Sequence, residues 1–550
     1  MKKAIPIGIS NYRKLKENGY YSVDKSMLIY DFLSRKNEVT LITRPRRFGK
    51  SLNMSMLAEF FDITRNSKEI FKNTEIMKTE FADQMNAYPV IYLSFANAKG
   101  DLFNIVNNIK SILIEEYVKY EYVFEDISSL LVSSYQTILK YLKESDLCSL
   151  RGINDAISFL SKRLESYYQK KVILLIDEFD TPFIESHIGG FYDKLHNDLS
   201  VMLSSSLKNN NSLQYALLTG IQRVAKESIF SGLNNLKVCT VANKEYAHYF
   251  GFTVEETKEL LEYYGLEYND DVKDMYDGYR IGNENIYNPW SILCYADNKE
   301  LMPYWVNTSA NKMILAAMDS CDDSFRFGYE SLIKNGYVET STLMETSFFE
   351  QSQTSSLWGL LLNAGYLTIQ KVMNVFTSDF QLKIPNHEVE KEFTSITAHY
   401  LEVSETILND IGKAFKKKDK ESFYQNYQSI LQNNVSYYDL KGENSYHTLL
   451  LGMCSCLSKE YTIKSNQESG TGRADIILHA KKPTLPSYVI EMKYTRDDTQ
   501  NLYELAEEAI HQIEKKKYGS DITGNLIFIG LAHCGKKAEM IWKETPSITS

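Results

Sequence analysis

An unbroken apolar run that ends in carboxylates constrains the fold of this chain most strongly. The run is Val172–Ile176, and Asp177 and Glu178 follow it directly. A strand that is apolar on both faces is typical of a parallel sheet covered on both sides. The two acids then lie at the carboxyl edge of that sheet, where such folds bind ligands. The alternative is that these acids only cap the next turn.

Three other short β-rich runs alternate with long helical stretches in the N-terminal half. They are Val39–Thr43, Pro89–Phe95 and Tyr215–Thr219. This alternation predicts an α/β domain with a parallel sheet between helices. From about Thr253 the chain becomes rich in helices and aromatic residues, with a β-like segment near Phe380–Ile384. That pattern predicts a helical middle domain, for which a winged-helix element is one option.

A short basic loop joins the first predicted strand to a helix and ends in Gly-Lys-Ser. In this context backbone N–H groups and the helix N-terminus surround phosphate oxygens, as in a P-loop or Walker A motif. We expect Lys50 to reach the β- and γ-phosphates of ATP and Ser51 to bind Mg²⁺. Arg44 stands at the usual first glycine, so a helix-capping turn is the alternative. The loop residues predicted to bind nucleotide are Arg47, Phe48, Gly49, Lys50 and Ser51.

The acids after the buried strand supply the remaining groups of an ATPase site, in the manner of a Walker B strand. Asp177 is predicted to hold the hydration shell of Mg²⁺, and Glu178 to polarise the attacking water. Thr219 ends another predicted strand and is expected to hydrogen-bond the γ-phosphate or the water, while Arg223 is expected to sense the phosphate. A plain structural role is the alternative for both. The two coupled motifs predict ATP binding and hydrolysis.

The order of these motifs resembles the bacterial AAA-ATPase-like family. The shared segments are DKS at Asp24–Ser26, the RPRRFGKS loop, the IDEFD strand and Thr219–Leu236, and Tyr287–Ile292 fits the region that follows. The family loop also carries arginine at the position of Arg44. The resemblance implies an ASCE/AAA-like P-loop domain that binds ATP with Mg²⁺.

Two acids and a lysine lie in apolar β-like runs near the C-terminus. Asp475 precedes one run, and Glu491 and Lys493 belong to the next. Adjacent strands would bring both acids to one divalent cation, with Lys493 at the same edge because alternate residues share a face. Carboxylate oxygens suit Mg²⁺ or Mn²⁺. The metal would activate a water molecule, and Lys493 would orient it. The pattern therefore predicts phosphodiester hydrolysis. Ordinary acids at a strand edge are the alternative.

This C-terminal pattern resembles the PD-(D/E)XK nuclease superfamily. The segments GENSYHTLLLG and SNQESGTGRADI resemble the nuclease-like domain often attached to the AAA-ATPase-like family. The resemblance implies a restriction-endonuclease-like α/β fold, a further metal-binding carboxylate from Glu443 and a supporting role for Gln512. His533 stands where the family usually has phenylalanine.

Charge and composition restrict the cellular setting and the partners. The net charge of −10 gives no global attraction to nucleic acid, although a local basic groove is compatible with it. No apolar stretch reaches the roughly 18 residues of a membrane span. The seven cysteines lack paired spacing and indicate reduced thiols. We expect a cytoplasmic protein with no membrane contact, and a homo-oligomer is compatible with the sequence.

We predict four segments, and ATP turnover in the first is expected to gate a nuclease that acts on DNA or RNA. One alternative is a nucleotide-gated interaction module with an inactive nuclease-like fold. Another is an ATP-dependent small-molecule enzyme or kinase, which a deep apolar pocket beside the loop would support. The segments are an AAA-ATPase-like P-loop domain (1–245), a helical or winged-helix-like middle domain (246–390), a charged helical connector (391–432) and a nuclease-like domain (433–550).

Overall fold

The computed structural model divides the chain into two compact units. Unit 1 comprises Met1–Cys321 and Ser341–Phe380, and unit 2 comprises Asp322–Thr340 and Gln381–Ser550. The finer division into four segments stays a prediction. The described residues are 2–144, 149–208, 210–222, 235–305, 314–315, 317, 322–344, 353–400, 403–433, 443–454, 457, 460–469, 472–520 and 522–545.

The strands are β1 (Val39–Thr43), β2 (Val90–Ser94), β3 (Val172–Asp177), β4 (Leu213–Gly220), β5 (Leu236–Cys239), β6 (Phe252–Thr253), β7 (Tyr279–Ile281), β8 (Glu284–Tyr287), β9 (Tyr337–Ser341), β10 (Thr368–Asn374), β11 (Asp379–Lys383), β12 (Tyr461–Ser469), β13 (Gly472–Ala480), β14 (Ser487–Tyr494), β15 (Leu526–Cys534) and β16 (Lys537–Glu544). The helices are α1 (Tyr12–Glu17), α2 (Met27–Arg35), α3 (Lys50–Phe61), α4 (Lys68–Phe71), α5 (Leu102–Lys119), α6 (Ser129–Lys143), α7 (Ala156–Tyr168), α8 (Thr181–Ile188), α9 (Tyr192–Leu207), α10 (Val254–Tyr264), α11 (Asp270–Tyr276), α12 (Pro289–Asn298), α13 (Asp323–Asn335), α14 (Thr354–Ala364), α15 (His387–Tyr400), α16 (Glu405–Lys417), α17 (Lys420–Asn433), α18 (Glu443–Cys454) and α19 (Leu502–Lys516).

A five-stranded parallel sheet forms the centre of the described part of unit 1, in the order β2-β3-β4-β1-β5. Strands β1 and β3 are buried along their whole length. Alternate residues of β3 enter different cores, because successive side chains point to opposite faces. Leu174 packs with α5, α7 and α9, whereas Ile173 and Leu175 pack with α2 and α3. The sheet fits the expected P-loop fold.

The second part of unit 1 follows this sheet in the chain. Strands β6, β8 and β7 form a small antiparallel sheet in that order. Helices α10, α11 and α12 surround an apolar core that includes Leu260, Tyr276 and Ile292. The predicted helix that begins near Thr253 is α10, and a capping box of Thr253 and Glu256 starts it.

A five-stranded mixed sheet organises the described part of unit 2, in the order β12-β13-β14-β15-β16. Strands β14 and β15 are parallel, and the other neighbouring pairs are antiparallel. This sheet fits the expected nuclease-like fold. Helices α16 and α17 share its core, since Phe415 and Phe423 contact Tyr488 or Trp542.

The segment Ile411–Ser422, which lies within the predicted charged helical connector (391–432), contains a break between α16 and α17. Lys418 adopts a left-handed conformation with φ 57°, and the Asp419 side chain accepts a hydrogen bond from the Ser422 amide. Helix α16 therefore ends at Lys417, and α17 begins at Lys420 after two intervening residues. Its lysines lie opposite a buried apolar face. Among the described residues, none of the helices is both long and apolar enough to cross a membrane.

Candidate nucleotide site and candidate metal site

The basic loop of unit 1 runs from the end of β1 to the start of α3, as predicted. Arg47 and Gly49 have positive φ angles of 66° and 80°. Gly49 is the N-cap residue of α3, and this conformation favours glycine. The turn places Lys50 and Ser51 in the first turn of the helix, where backbone N–H groups have no intrahelical partner. The helix terminus is thus arranged to receive an anion.

Arg44 does not fill the space inside this loop. Its guanidinium is buried and donates to the carbonyl oxygens of Thr43, Cys239, Thr240 and Glu245, at 2.8–3.2 Å. Burial lowers the pKa of Arg44 to about 10, so the side chain remains charged at neutral pH. The arginine therefore ties the loop to the segment after β5. This is a structural task that glycine could not perform.

Lys50, Asp177 and Glu178 meet at the carboxyl edge of the sheet. The Lys50 Nζ donates to the carbonyl oxygens of Arg44 and Pro45, at 3.0 and 2.8 Å. Burial lowers the pKa of Lys50, and the charges of Glu178, Asp177 and Asp180 oppose this effect. These charges can act on the lysine only from nearby. The loop and the acidic strand thus form one site.

The two carboxylate oxygens of Asp177 differ in their hydrogen bonds. Its Oδ1 accepts hydrogen bonds from the Thr219 hydroxyl at 2.6 Å and from the Glu178 amide at 3.1 Å. Its Oδ2 is buried and accepts no hydrogen bond from the described residues. Burial raises the pKa of Asp177, and the nearby hydroxyls of Ser51 and Thr219 oppose the rise. An unpartnered buried carboxylate oxygen beside Ser51 is what a hydrated divalent cation requires.

Glu178 follows β3 in a left-handed conformation with φ 50°. This region is unfavourable for residues other than glycine and recurs at functional sites. The Glu178 Oε2 accepts a hydrogen bond from the Thr181 hydroxyl at 3.2 Å. The turn presents the carboxylate beside Lys50, where both residues line one cavity.

Asp180, for which the sequence analysis predicted no role, joins the ends of β3 and β4. Its Oδ2 accepts the amides of Ile221 and Gln222 at 2.8 and 2.9 Å, and burial raises its pKa to about 6. A Cβ at Gly220 would lie 2.6 Å from the Asp180 Oδ1. Only glycine therefore fits at the end of β4.

Asp180→Ala is expected to destabilise the full chain by about 2–4 kcal/mol, because two buried amides lose their acceptor. Thermal or urea unfolding followed by circular dichroism measures this change. Asp270→Ala is a matched control, since Asp270 is exposed in the same unit and pairs with Lys273 on its own helix. Equal stability of the two variants would contradict the role given to Asp180.

A cavity of about 540 Å³ opens beside this site. One end is lined by the basic loop and Glu178. The other end is lined mainly by apolar residues of the N-terminal segment, α3 and the second part of unit 1, among them Ile9, Val23, Met56, Phe252 and Leu293. The volume lies in the range of small-molecule sites. A ligand with a phosphate at one end and an apolar body at the other suits this lining.

The DKS motif holds the N-terminal wall of the cavity. Asp24 accepts the amides of Ser26 and Glu75, each at 2.8 Å. The Lys25 Nζ donates to Glu256 and to the carbonyl of His248, both at 2.6 Å. Lys25 and Val23 line the cavity. The motif therefore fixes the position of the wall.

The second part of unit 1 contacts the loop at consecutive positions. The Arg47 guanidinium lies 4.2 Å from the centre of the Trp290 ring and donates to the Tyr304 carbonyl at 2.9 Å. Phe48 is buried and meets Tyr279 edge to face at 5.0 Å. The indole N–H of Trp305 donates to the Arg46 carbonyl at 3.4 Å. The loop is thus packed between two parts of one unit.

The candidate metal residues of unit 2 also come together. Strands β13 and β14 pair antiparallel and carry Asp475 and Glu491. The Asp475 Oδ2 accepts the Met492 amide at 2.7 Å. The Lys493 Nζ lies 3.5 Å from the Glu491 Oε1 and donates to the Gln512 Oε1 at 2.6 Å. The Gln512 amide nitrogen in turn donates to the Glu491 Oε1. Gln512 thus bridges the acid and the lysine.

Glu491 is buried, and its Oε2 accepts no hydrogen bond from the described residues. Burial raises the pKa of Glu491 to about 7, the charge of Asp475 adds to the rise, and Lys493 opposes it. A divalent cation would supply the missing positive charge and a partner for Oε2. The chemistry of these donors therefore fits Mg²⁺ or Mn²⁺.

His533 supports the backbone of Lys493. Its Nδ1 lies 3.3 Å from the Lys493 carbonyl, which can only accept, so Nδ1 carries the proton. Its Nε2 then accepts from the Tyr427 hydroxyl at 2.7 Å. Burial lowers the pKa of His533 to about 4, so the ring is neutral. Histidine at this position is therefore compatible with β15, and it makes two hydrogen bonds.

The structure thus brings together Lys50, Ser51, Asp177, Glu178 and Thr219 in unit 1. In unit 2 it brings together Asp475, Glu491, Lys493 and Gln512. Arg223 lies outside the described residues. Glu443 begins α18, but its side chain lies outside the described part. The His447 Nε2 lies 3.2 Å from the Asp475 carbonyl.

Sequence reasoning gave no role to Asp180, Arg46 or Trp290. Asp180 carried a signal, because it completes the IDEFD segment. No local sequence pattern marked Arg46 or Trp290. Their positions in the cavity wall depend on contacts between distant segments.

Two family models match separate parts of the chain. Residues 6–230 match the family model "Predicted AAA-ATPase", and residues 441–543 match the model "PD-(D/E)XK nuclease superfamily". The chain is also 25% identical over 420 residues to "Uncharacterized protein in vnfD 5'region" of Azotobacter chroococcum mcd 1, covering 75% of this chain and 74% of that protein. The chain therefore contains an AAA-ATPase-like domain and a PD-(D/E)XK nuclease-superfamily domain.

Proposed function

We propose that unit 1 binds ATP with Mg²⁺ and hydrolyses it. The observation that carries this proposal is that Lys50, Ser51 and Glu178 line one end of the cavity, with the buried Asp177 beside Ser51 and Lys50. Lys50 would bind the β- and γ-phosphates, and Ser51 and Asp177 would hold the hydrated Mg²⁺. The apolar end of the cavity would receive the nucleoside.

Glu178 is the proposed general base for hydrolysis. It would accept a proton from the water that attacks the γ-phosphorus, while the bond from that phosphorus to the bridging oxygen of ADP breaks. Thr181 would orient the carboxylate through its hydroxyl. Thr219 would act through Asp177, because its hydroxyl donates to that carboxylate.

We further propose that ATP turnover gates a metal-dependent nuclease site in unit 2, acting on nucleic acid. Support comes from the four side chains of that site, above all the buried Glu491 Oε2. Lys493 would orient the attacking water or neutralise the phosphate, and the metal would lower the pKa of that water. Asp475 and Glu491 would hold the metal, with Glu443 as an additional ligand.

Assays of both sites in the full-length protein test these proposals. We expect phosphate release from ATP in the absence of any other acceptor, and its loss in Lys50→Ala. Metal-dependent cleavage of labelled DNA or RNA should change when ATP is added and should disappear in Asp475→Ala. The two variants are matched controls, because each leaves the other site intact.

The outcomes separate the alternatives. ATP hydrolysis without cleavage of any nucleic acid, in wild type and Asp475→Ala alike, would favour an interaction module with an inactive nuclease-like fold. The apolar end of the cavity favours, as a second candidate, transfer of phosphate to a small molecule. Formation of ADP only after addition of cell metabolites, without release of inorganic phosphate, would support that candidate over simple hydrolysis.

A further inference from the structure

The basic loop of unit 1 offers few backbone donors to a phosphate at its start. The Arg44 amide donates to the Gly220 carbonyl at 3.1 Å and is therefore already used. Pro45 has no amide hydrogen at all. The first two positions of the loop thus contribute no N–H group to an anion beside Lys50. A site for a highly charged phosphate needs a donor from elsewhere.

The arginines of the loop have different surroundings. The Arg44 guanidinium is buried among carbonyl oxygens, and that of Arg47 lies against Trp290. Arg46 lines the cavity together with Arg47, Lys50 and Glu178. Its charge lowers the pKa of Lys50, an effect that is secondary to burial. The guanidinium of Arg46 therefore lies near the ammonium group expected to reach the terminal phosphates.

Contacts with two later segments of unit 1 hold the backbone at Pro45 and Arg46. Its carbonyl accepts the Trp305 indole N–H. A Cβ at Gly365 would lie 2.8 Å from the Pro45 ring, so this glycine lets the chain approach the loop closely. A side chain whose backbone is held loses less freedom when it binds a ligand. A guanidinium also presents a planar fork of donors that matches two phosphate oxygens.

We propose that the Arg46 guanidinium binds the terminal phosphate of the nucleotide and makes the site prefer the triphosphate to the diphosphate. This inference rests on the proposed ATP site and deepens it by naming a specificity-determining residue. Arg46 replaces the donors that Arg44 and Pro45 do not offer. Lys50 remains the contact for the β-phosphate in both nucleotides.

Isothermal titration of the full-length protein with ATP and with ADP, both with Mg²⁺, tests the inference. Arg46→Gln is expected to weaken ATP binding by roughly 10- to 100-fold, the loss of a charge-assisted contact, and ADP binding by less than about threefold. Arg46→Lys should restore only part of the preference, because an ammonium lacks the fork. Circular dichroism verifies that each variant is folded.

Lys99→Gln is the matched control, since Lys99 is another cation of the cavity lining. An unchanged ratio of ATP to ADP affinity in Arg46→Gln would overturn the inference. Equal losses of ATP affinity in Arg46→Gln and Lys99→Gln would also overturn it, because only net charge would then matter. Wild-type protein that binds neither nucleotide would instead overturn the proposed ATP site itself. If Arg46→Gln alone did not fold, the ratio measured with Arg46→Lys would decide.

Discussion

Glu178→Gln is expected to slow ATP hydrolysis by roughly 100- to 10,000-fold, the contribution typical of a positioned general base. The glutamine keeps the size of the side chain, and its carbonyl oxygen can still accept the Thr181 hydroxyl. It cannot accept the proton of the attacking water. ATP affinity should remain within about threefold of wild type, because the phosphate contacts of Lys50 are untouched.

Steady-state phosphate release and nucleotide titration together measure this effect. Glu185→Gln is the control, since Glu185 lies on the following helix α8 and is not part of the cavity lining. Equal rates for Glu178→Gln and wild type would remove Glu178 from the mechanism. Parallel losses of binding and hydrolysis would indicate that Glu178 acts on the loop and not on water.

Glu491→Gln is expected to abolish metal-dependent cleavage, with a loss on the order of 100-fold or more, and at the same time to stabilise the metal-free protein. In this proposal Glu491 is a metal ligand, and its Oε2 accepts no hydrogen bond from the described residues. Its replacement removes a buried negative charge. Activity and stability should therefore change in opposite directions, as is common where a site is built for function.

The pH dependence of this stabilisation follows from the pKa of Glu491, which rises from 4.5 to about 7 on folding. Below pH 4.5 both states are protonated and the carboxyl costs nothing. Between pH 4.5 and about 7 the unfolded state loses this proton while the folded state keeps it, so the stability of the fold decreases as the pH rises and levels off above pH 7. At pH 8 the advantage of Glu491→Gln is on the order of 3 kcal/mol, and at pH 5 it is small.

Thermal unfolding in the presence of a chelator at pH 5 and pH 8 measures this difference. Glu507→Gln is the control, because Glu507 lies on the exposed face of α19. Titration with Mn²⁺ should show binding to wild type and to Glu507→Gln, but not to Glu491→Gln. Greater stability of wild type than of Glu491→Gln at pH 8 without metal would contradict the burial of an ionised Glu491.

The sequence alone predicted the elements whose pattern is local. Strands β1 to β4 were predicted because each is a short apolar run bounded by polar residues. The edge strand β5 was not, since three of its four residues are only partly buried and the run Leu236–Cys239 contains a lysine. The pairing of β13 with β14 followed from the spacing of their acids and apolar residues.

The roles that depend on distant segments were beyond sequence reasoning. Arg44 stands where a P-loop usually has its first glycine. Three of the four carbonyl oxygens that it contacts belong to residues far along the chain. The contact of Arg47 with Trp290 joins positions that share no periodicity. The break at Lys418 was hidden because lysine has no special preference for a left-handed conformation. Tertiary contacts determined each of these.

The indole of Trp290 lies against Arg47 in the wall of the same cavity as Lys50. Movement of the loop on arrival of a ligand would change the distance between the guanidinium and the indole, and hence the polarity around the ring. The chain thus carries a built-in optical probe. Tryptophan fluorescence should therefore report ligand binding in stopped-flow measurements without any attached dye. Trp290→Phe should remove most of that fluorescence change.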